Sequence, residues 1–156
     1  MKTMLMIALV ASLAACGGKK SGGTTTTGGG GEGGGSAATL YASLGGEPAV
    51  KAVVKDFVEE QVAKDTRINA FFKGVDIPKL EQLLFEQICA AAGGGCTYTG
   101  RDMKTSHAGM KVKEADFNNL VEDLVKSLDK FNVKADDKAT LLKVLGGMKD
   151  DIVTVH

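Results

Sequence analysis

The chain has 156 residues with 19 basic and 19 acidic side chains, so its formal charge at neutral pH is zero. With no basic cluster, that balance argues against a nucleic-acid partner. There are only two histidines and three cysteines, too few nearby ligands for a structural zinc site.

The first residues read as an address. Met1-Lys2 is a short positive start, and Met4 to Leu13 is an apolar run of signal-peptide length, too short to span a bilayer. Leu13-Ala14-Ala15-Cys16 looks like a bacterial lipobox, which makes residues 1–15 a lipoprotein signal peptide and Cys16 the lipidated first residue of the mature chain. An ordinary secretory signal ending after Ala15 is the alternative. Gly17 stands where Asp marks inner-membrane retention in enteric bacteria, which favours the outer membrane of the cell envelope. From Cys16 to Ser36 the chain is low-complexity Gly/Thr/Ser, a disordered tether with a reach of roughly 25 Å.

Residues 37–156 have the length of one domain, and helix signals dominate it. Gly45-Gly46-Glu47-Pro48 reads as a turn with proline in the first turn of a helix that runs to about Ala63. Val50, Val53, Val54, Phe57, Val58 and Val62 mark its apolar side. Asp65-Thr66-Arg67 opens a short helical turn ending at Phe71-Phe72, and Asp76 caps a helix with Pro78 near its start. The stripe of that helix is Ile77, Leu80, Leu84 and Ile88. Gly93-Gly94-Gly95 stops it. Met103 to Ala108 forms a short helix ended by Gly109. Phe117, Leu120, Val121, Leu124, Val125 and Leu128 form a regular helical stripe. One last helix after Asn132 carries Leu141, Leu142, Leu145, Met148 and Ile152. The pattern alone supports a small all-α domain.

His107 is the only histidine inside the body of the chain; His156 is the last residue. Neutral imidazole is a common metal ligand, although a lone histidine is more often a satisfied or surface side chain. Cys89 and Cys96, with six residues between them, read in an exported protein as a disulfide. Two buried free thiols or a redox couple are the other readings. We find no nucleophile–base pair, phosphate loop or paired carboxylates.

Four motifs occur in order: Leu40-Tyr41-Ala42-Ser43-Leu44-Gly45-Gly46, Ala70-Phe71-Phe72-Lys73-Gly74, Gly93-Gly94-Gly95 before Tyr98-Thr99-Gly100, and His107-Ala108-Gly109. Together they resemble the group I truncated haemoglobins over Leu40 to Val153. The resemblance implies a two-over-two helical sandwich and haem b, since no Cys-x-x-Cys-His occurs for covalent attachment. It implies His107 as the iron ligand and Phe72, Leu80, Leu84, Tyr98, Met103, Val112 and Phe117 as haem contacts. Arg101 and Lys104 flank the proximal helix as candidate propionate partners. Gly95 departs from the family's usual proline.

The distal side departs further. Val58 stands where many members have tyrosine, and Leu84 where many have glutamine. Neither side chain donates a hydrogen bond, and a donor contributes about 1.5–3 kcal/mol to a charge-bearing ligand. The expectation is an apolar distal pocket that favours CO and NO over oxygen. Gln87, one turn past Leu84, is the remaining candidate donor, or else a partly exposed amide. Only His156 is left to close the sixth position, so the iron should be five-coordinate. The resulting function is reversible binding of a diatomic gas (oxygen, NO or CO). The alternative is an enzyme, an NO dioxygenase or peroxidase supplied by an external reductase. A domain that has lost haem and serves as an interaction module is a third reading, against which His107 argues.

Overall fold

The computed structural model describes residues 39–155. The signal peptide, the lipidated Cys16, the tether and His156 lie outside the described residues. Seven α-helices run through the described chain: α1 (Leu40–Ser43), α2 (Gly46–Asp56), α3 (Ile77–Ala91), α4 (Met103–His107), α5 (Glu114–Lys130), α6 (Ala135–Gly146) and α7 (Lys149–Ile152). A π turn (Phe57–Val62) extends α2, and a 3-10 turn (Asn69–Phe72) precedes α3. No strand occurs among the described residues. Lys113 and Val155 form one isolated parallel bridge.

Helix α2 packs on α3, and α5 on α6; the two pairs meet through α2 on α5, α3 on α6 and the π turn on α5. This is the two-over-two arrangement. The apolar stripes make the core: Val54 from α2, Val58 and Val62 from the π turn, Ile88 from α3, Leu128 from α5 and Leu141 from α6. Helix α3 starts where its cap chemistry dictates. Asp76 accepts from the Lys79 N–H at 3.0 Å, and Pro78 occupies the first turn, where a missing N–H costs nothing.

Three local features differ from the periodicity reading. The helix expected to run unbroken to Ala63 changes pitch at Phe57. The Ala63 N–H reaches the Val58 carbonyl five residues back, at 3.1 Å, and Gln61 donates to Asp56, also five back, at 3.3 Å. The last helix is two helices, because Gly146-Gly147 lies where it would have continued and a turn at Met148 restarts it as α7. Helix α1 was not expected; Thr39 Oγ1 caps it from the Ala42 N–H, and the Tyr41 N–H donates to the Ala92 carbonyl at 2.9 Å. The loop before the 3-10 turn is pinned to α5 by Arg67, which bonds Asn119 at 2.8 Å and Glu122 at 2.9 Å.

Asp56 sits at the junction of α2 and the π turn and is buried. It accepts from Ser127 Oγ at 2.9 Å, from Gln61 and from Lys130, so one carboxylate joins the first helix pair to α5. Burial pushes this carboxyl up, but Lys130, Ser127 and Gln61 together hold it below its ordinary value. A depressed folded value means its stabilisation is complete above about pH 4 and is lost as the pH falls through the lower, folded value. Asp56→Asn should therefore cost about 2 kcal/mol at neutral pH and flatten the acid limb of the stability curve. Urea melts between pH 2 and 7 check this; an acid limb identical to wild type would refute it.

Candidate functional site

Asp102 opens α4 by accepting from the Thr105 N–H at 2.8 Å. His107 closes that five-residue helix and is half-buried. Its Nδ1 lies 2.8 Å from the Met103 carbonyl oxygen, one turn back. A carbonyl only accepts, so this contact places the ring proton on Nδ1 and leaves the Nε2 lone pair outward. An imidazole fixed in this way is prepared to bind a metal through Nε2. No group of three or more His, Cys, Asp or Glu side chains gathers for a metal among the described residues. The chemistry on offer is one nitrogen ligand in an apolar setting.

The connector between α3 and α4 is tied down twice. Cys89, fully buried in α3, is joined to Cys96 by a disulfide with Cα atoms 5.6 Å apart. Gly94 passes so close to it that an added β-carbon would lie 2.6 Å from both Cys89 Sγ and the Tyr41 ring. Further along, Glu86 of α3 accepts from the Thr99 N–H at 2.9 Å and the Thr99 hydroxyl at 2.7 Å. Gln82 also donates to Glu86, and Gln82 with Thr99 holds its carboxyl down at about 2. Tyr98 donates to the Arg101 carbonyl at 3.0 Å, which orients its half-buried ring; burial pushes its hydroxyl up. A β-carbon at Gly100 would run into that ring.

The two sides of the expected pocket separate in the printed contacts. Val58 and Phe72 come together with Val62, Ala63, Asn69, Lys73 and Ile77 around a cleft of about 250 Å³. His107 is not among its walls. The polar members, Asn69 and Lys73, carry no pattern in the sequence that marks them as pocket residues. Val62 and Ile77 were legible as apolar but not as cleft lining. Gln87 faces elsewhere: its Nε2 lies 3.3 Å from Met103 Sδ and 3.2 Å from Met148 Sδ. Leu80 and Leu84 are half-buried at the border of the core. Val112 is buried and exchanges backbone bonds with Thr154, and Phe117 is buried with Lys149 Nζ 5.9 Å from its ring centre. Arg101 and Lys104 are exposed beside α4.

The family model for bacterial-like globins matches residues 39–154. The chain belongs to the bacterial-like globins. Within them this globin is similar to a group 1 truncated haemoglobin of Synechocystis, 34% identical over 118 residues that cover 76% of this chain and 86% of that protein. A group 1 truncated haemoglobin of Nostoc is 29% identical over 116 residues, 74% of this chain and 98% of its own. Among solved structures, the Fe(III) form of truncated haemoglobin from Tetrahymena pyriformis superposes with a TM-score of 0.71 at 29% identity, covering 74% of this chain and 98% of that one. The protein is thus a haem-binding globin of the group I truncated type. Its residues fit the group: an imidazole with Nε2 outward, and apolar side chains that include the half-buried Phe72, Leu80, Leu84 and Met103.

The disulfide closes a short loop, and chain entropy assigns it about 2.5 kcal/mol. The double variant Cys89→Ala/Cys96→Ala should lower the urea midpoint accordingly, and a dithiol reductant should do the same to wild type. A midpoint unmoved by both treatments would contradict this.

Proposed function

We propose that this globin holds haem b through His107 Nε2 and reversibly binds a diatomic gas at a five-coordinate iron. The observation that carries the assignment is the His107 Nδ1 contact with the Met103 carbonyl, which leaves Nε2 as the ligand atom. Haem supplies the metal position that a diatomic gas occupies. The chain supplies the rest. Asp102 fixes the start of α4, and Met103 fixes the tautomer and plane of the imidazole. Phe72, Leu80, Leu84, Tyr98, Met103, Val112 and Phe117 are the apolar contacts carried over from the family pattern.

On the gas-binding side we propose an apolar pocket around Val58. Val58 is buried and has no hydrogen to donate, and the amide of Gln87 is engaged by two sulfurs. A pocket of this kind binds CO and NO in preference to oxygen and lets oxygen leave quickly. We further propose that the globin domain is held at the bacterial cell envelope by a lipid on Cys16, as the Leu13-Ala14-Ala15-Cys16 motif supports.

The full-length protein expressed with haem should show a Soret band that shifts with CO. His107→Ala should abolish that band or reduce it to weak, nonspecific haem absorption. Colour of full intensity in His107→Ala would remove His107 from the site. Val58→Tyr, which introduces a hydroxyl donor, should slow oxygen release by roughly 10- to 100-fold, the equivalent of one charge-assisted hydrogen bond. Oxygen release that is already slow in wild type, and unchanged in Val58→Tyr, would sink the apolar-pocket reading.

A further inference from the structure

Gln87 is the one polar side chain on α3 whose amide reaches two other elements at once. Its Nε2 is 3.3 Å from the sulfur of Met103, the first residue of α4, and 3.2 Å from the sulfur of Met148, which precedes α7. A primary amide has two N–H bonds, and here there are two acceptors. The reverse amide orientation would set an oxygen against both sulfurs, so the nitrogen-inward orientation is the bonded one. Sulfur is a weak acceptor, but the two contacts bring three elements to one point, and α4 and α7 also pack on each other.

Helix α4 needs that help. It has five residues and one side-chain cap, far below the length at which a helix is stable alone. Its position is set by what its side chains touch. Met103 is also the residue whose carbonyl holds His107 Nδ1 at 2.8 Å. Anything that fixes the Met103 side chain therefore fixes the carbonyl that aims the imidazole. A continuous chain of contacts runs from Gln87 through Met103 to His107.

We infer that Gln87 is a positioning residue for the proximal histidine, acting through Met103 and Met148, and not a donor to the gas ligand. This rests on the reading of His107 as the iron ligand. The outcome of a single experiment separates the two claims. Resonance Raman spectra of the full-length, haem-loaded ferrous protein report the iron–histidine stretch directly. In wild type the band should be present. In His107→Gly it should vanish and return with added imidazole. In Gln87→Leu the band should remain but shift and broaden, and haem transfer to excess apomyoglobin should be roughly fivefold faster, the equivalent of one ordinary hydrogen bond. Met103→Leu removes the acceptor sulfur while keeping the volume. It should reproduce both changes, and the double variant should add nothing further. An unmoved band in Gln87→Leu, or effects of the two variants that simply add, would overturn the positioning role while leaving His107 as ligand. Absence of the band in wild type would overturn both.

Discussion

A helix of five residues cannot hold a ligand atom in place by its own backbone bonds, and this fact governs the functional half of the molecule. Helix α4 is placed from outside. The disulfide and the Glu86–Thr99 contacts fasten its leading segment to α3, and Asp102 sets its first turn. The imidazole of His107 is then aimed by a carbonyl one turn back. The longest and best buried part of α3 thus serves as the ruler for the side of the site that has almost no structure of its own. Gly94 lets the backbone lie against the disulfide and Tyr41, and Tyr41 is in turn bonded through its N–H to the end of α3.

The other half of the domain is held by burial and by a few charges that are fully accounted for. Asp56 would be costly in an apolar interior without partners. Here it has a hydroxyl, an amide and an ammonium group, and it stands directly before the π turn that carries Val58. Its bonds therefore stabilise the contact between helix pairs and also set where that turn begins. Surface pairs such as Lys51–Glu47 and Lys55–Glu59 are exposed and contribute little by comparison.

Much of this was legible in the sequence because it depends on local signals. Asp76 and Pro78 start α3 as capping chemistry requires, the stripe from Phe117 to Leu128 lies on α5, and His107 ends a short helix before Gly109. What escaped were features whose cause lies elsewhere in the chain. The π turn has the same apolar spacing as an ordinary helix over so few residues, and its marker is a side chain reaching back five positions. The break between α6 and α7 follows from a glycine pair inside an otherwise continuous stripe, and apolar spacing does not register it. Gln87 was legible as an amide on the right helix, but its partners come from α4 and from Met148, sixteen and sixty-one residues away. Asn69 and Lys73 line a cleft only because the chain folds back over Val58.

The π turn at Phe57–Val62 also bears on how this domain tolerates insertions and deletions. Such a turn accommodates one residue more than an α-helix uses over the same rise. A chain one residue shorter here would run on as a uniform helix, and everything after it would arrive rotated by about 100°. Val58 and Val62 could not then both face the core. The length of this segment is consequently under tighter constraint than its composition, and a change in apolar side-chain size there should be absorbed more readily than a change in count.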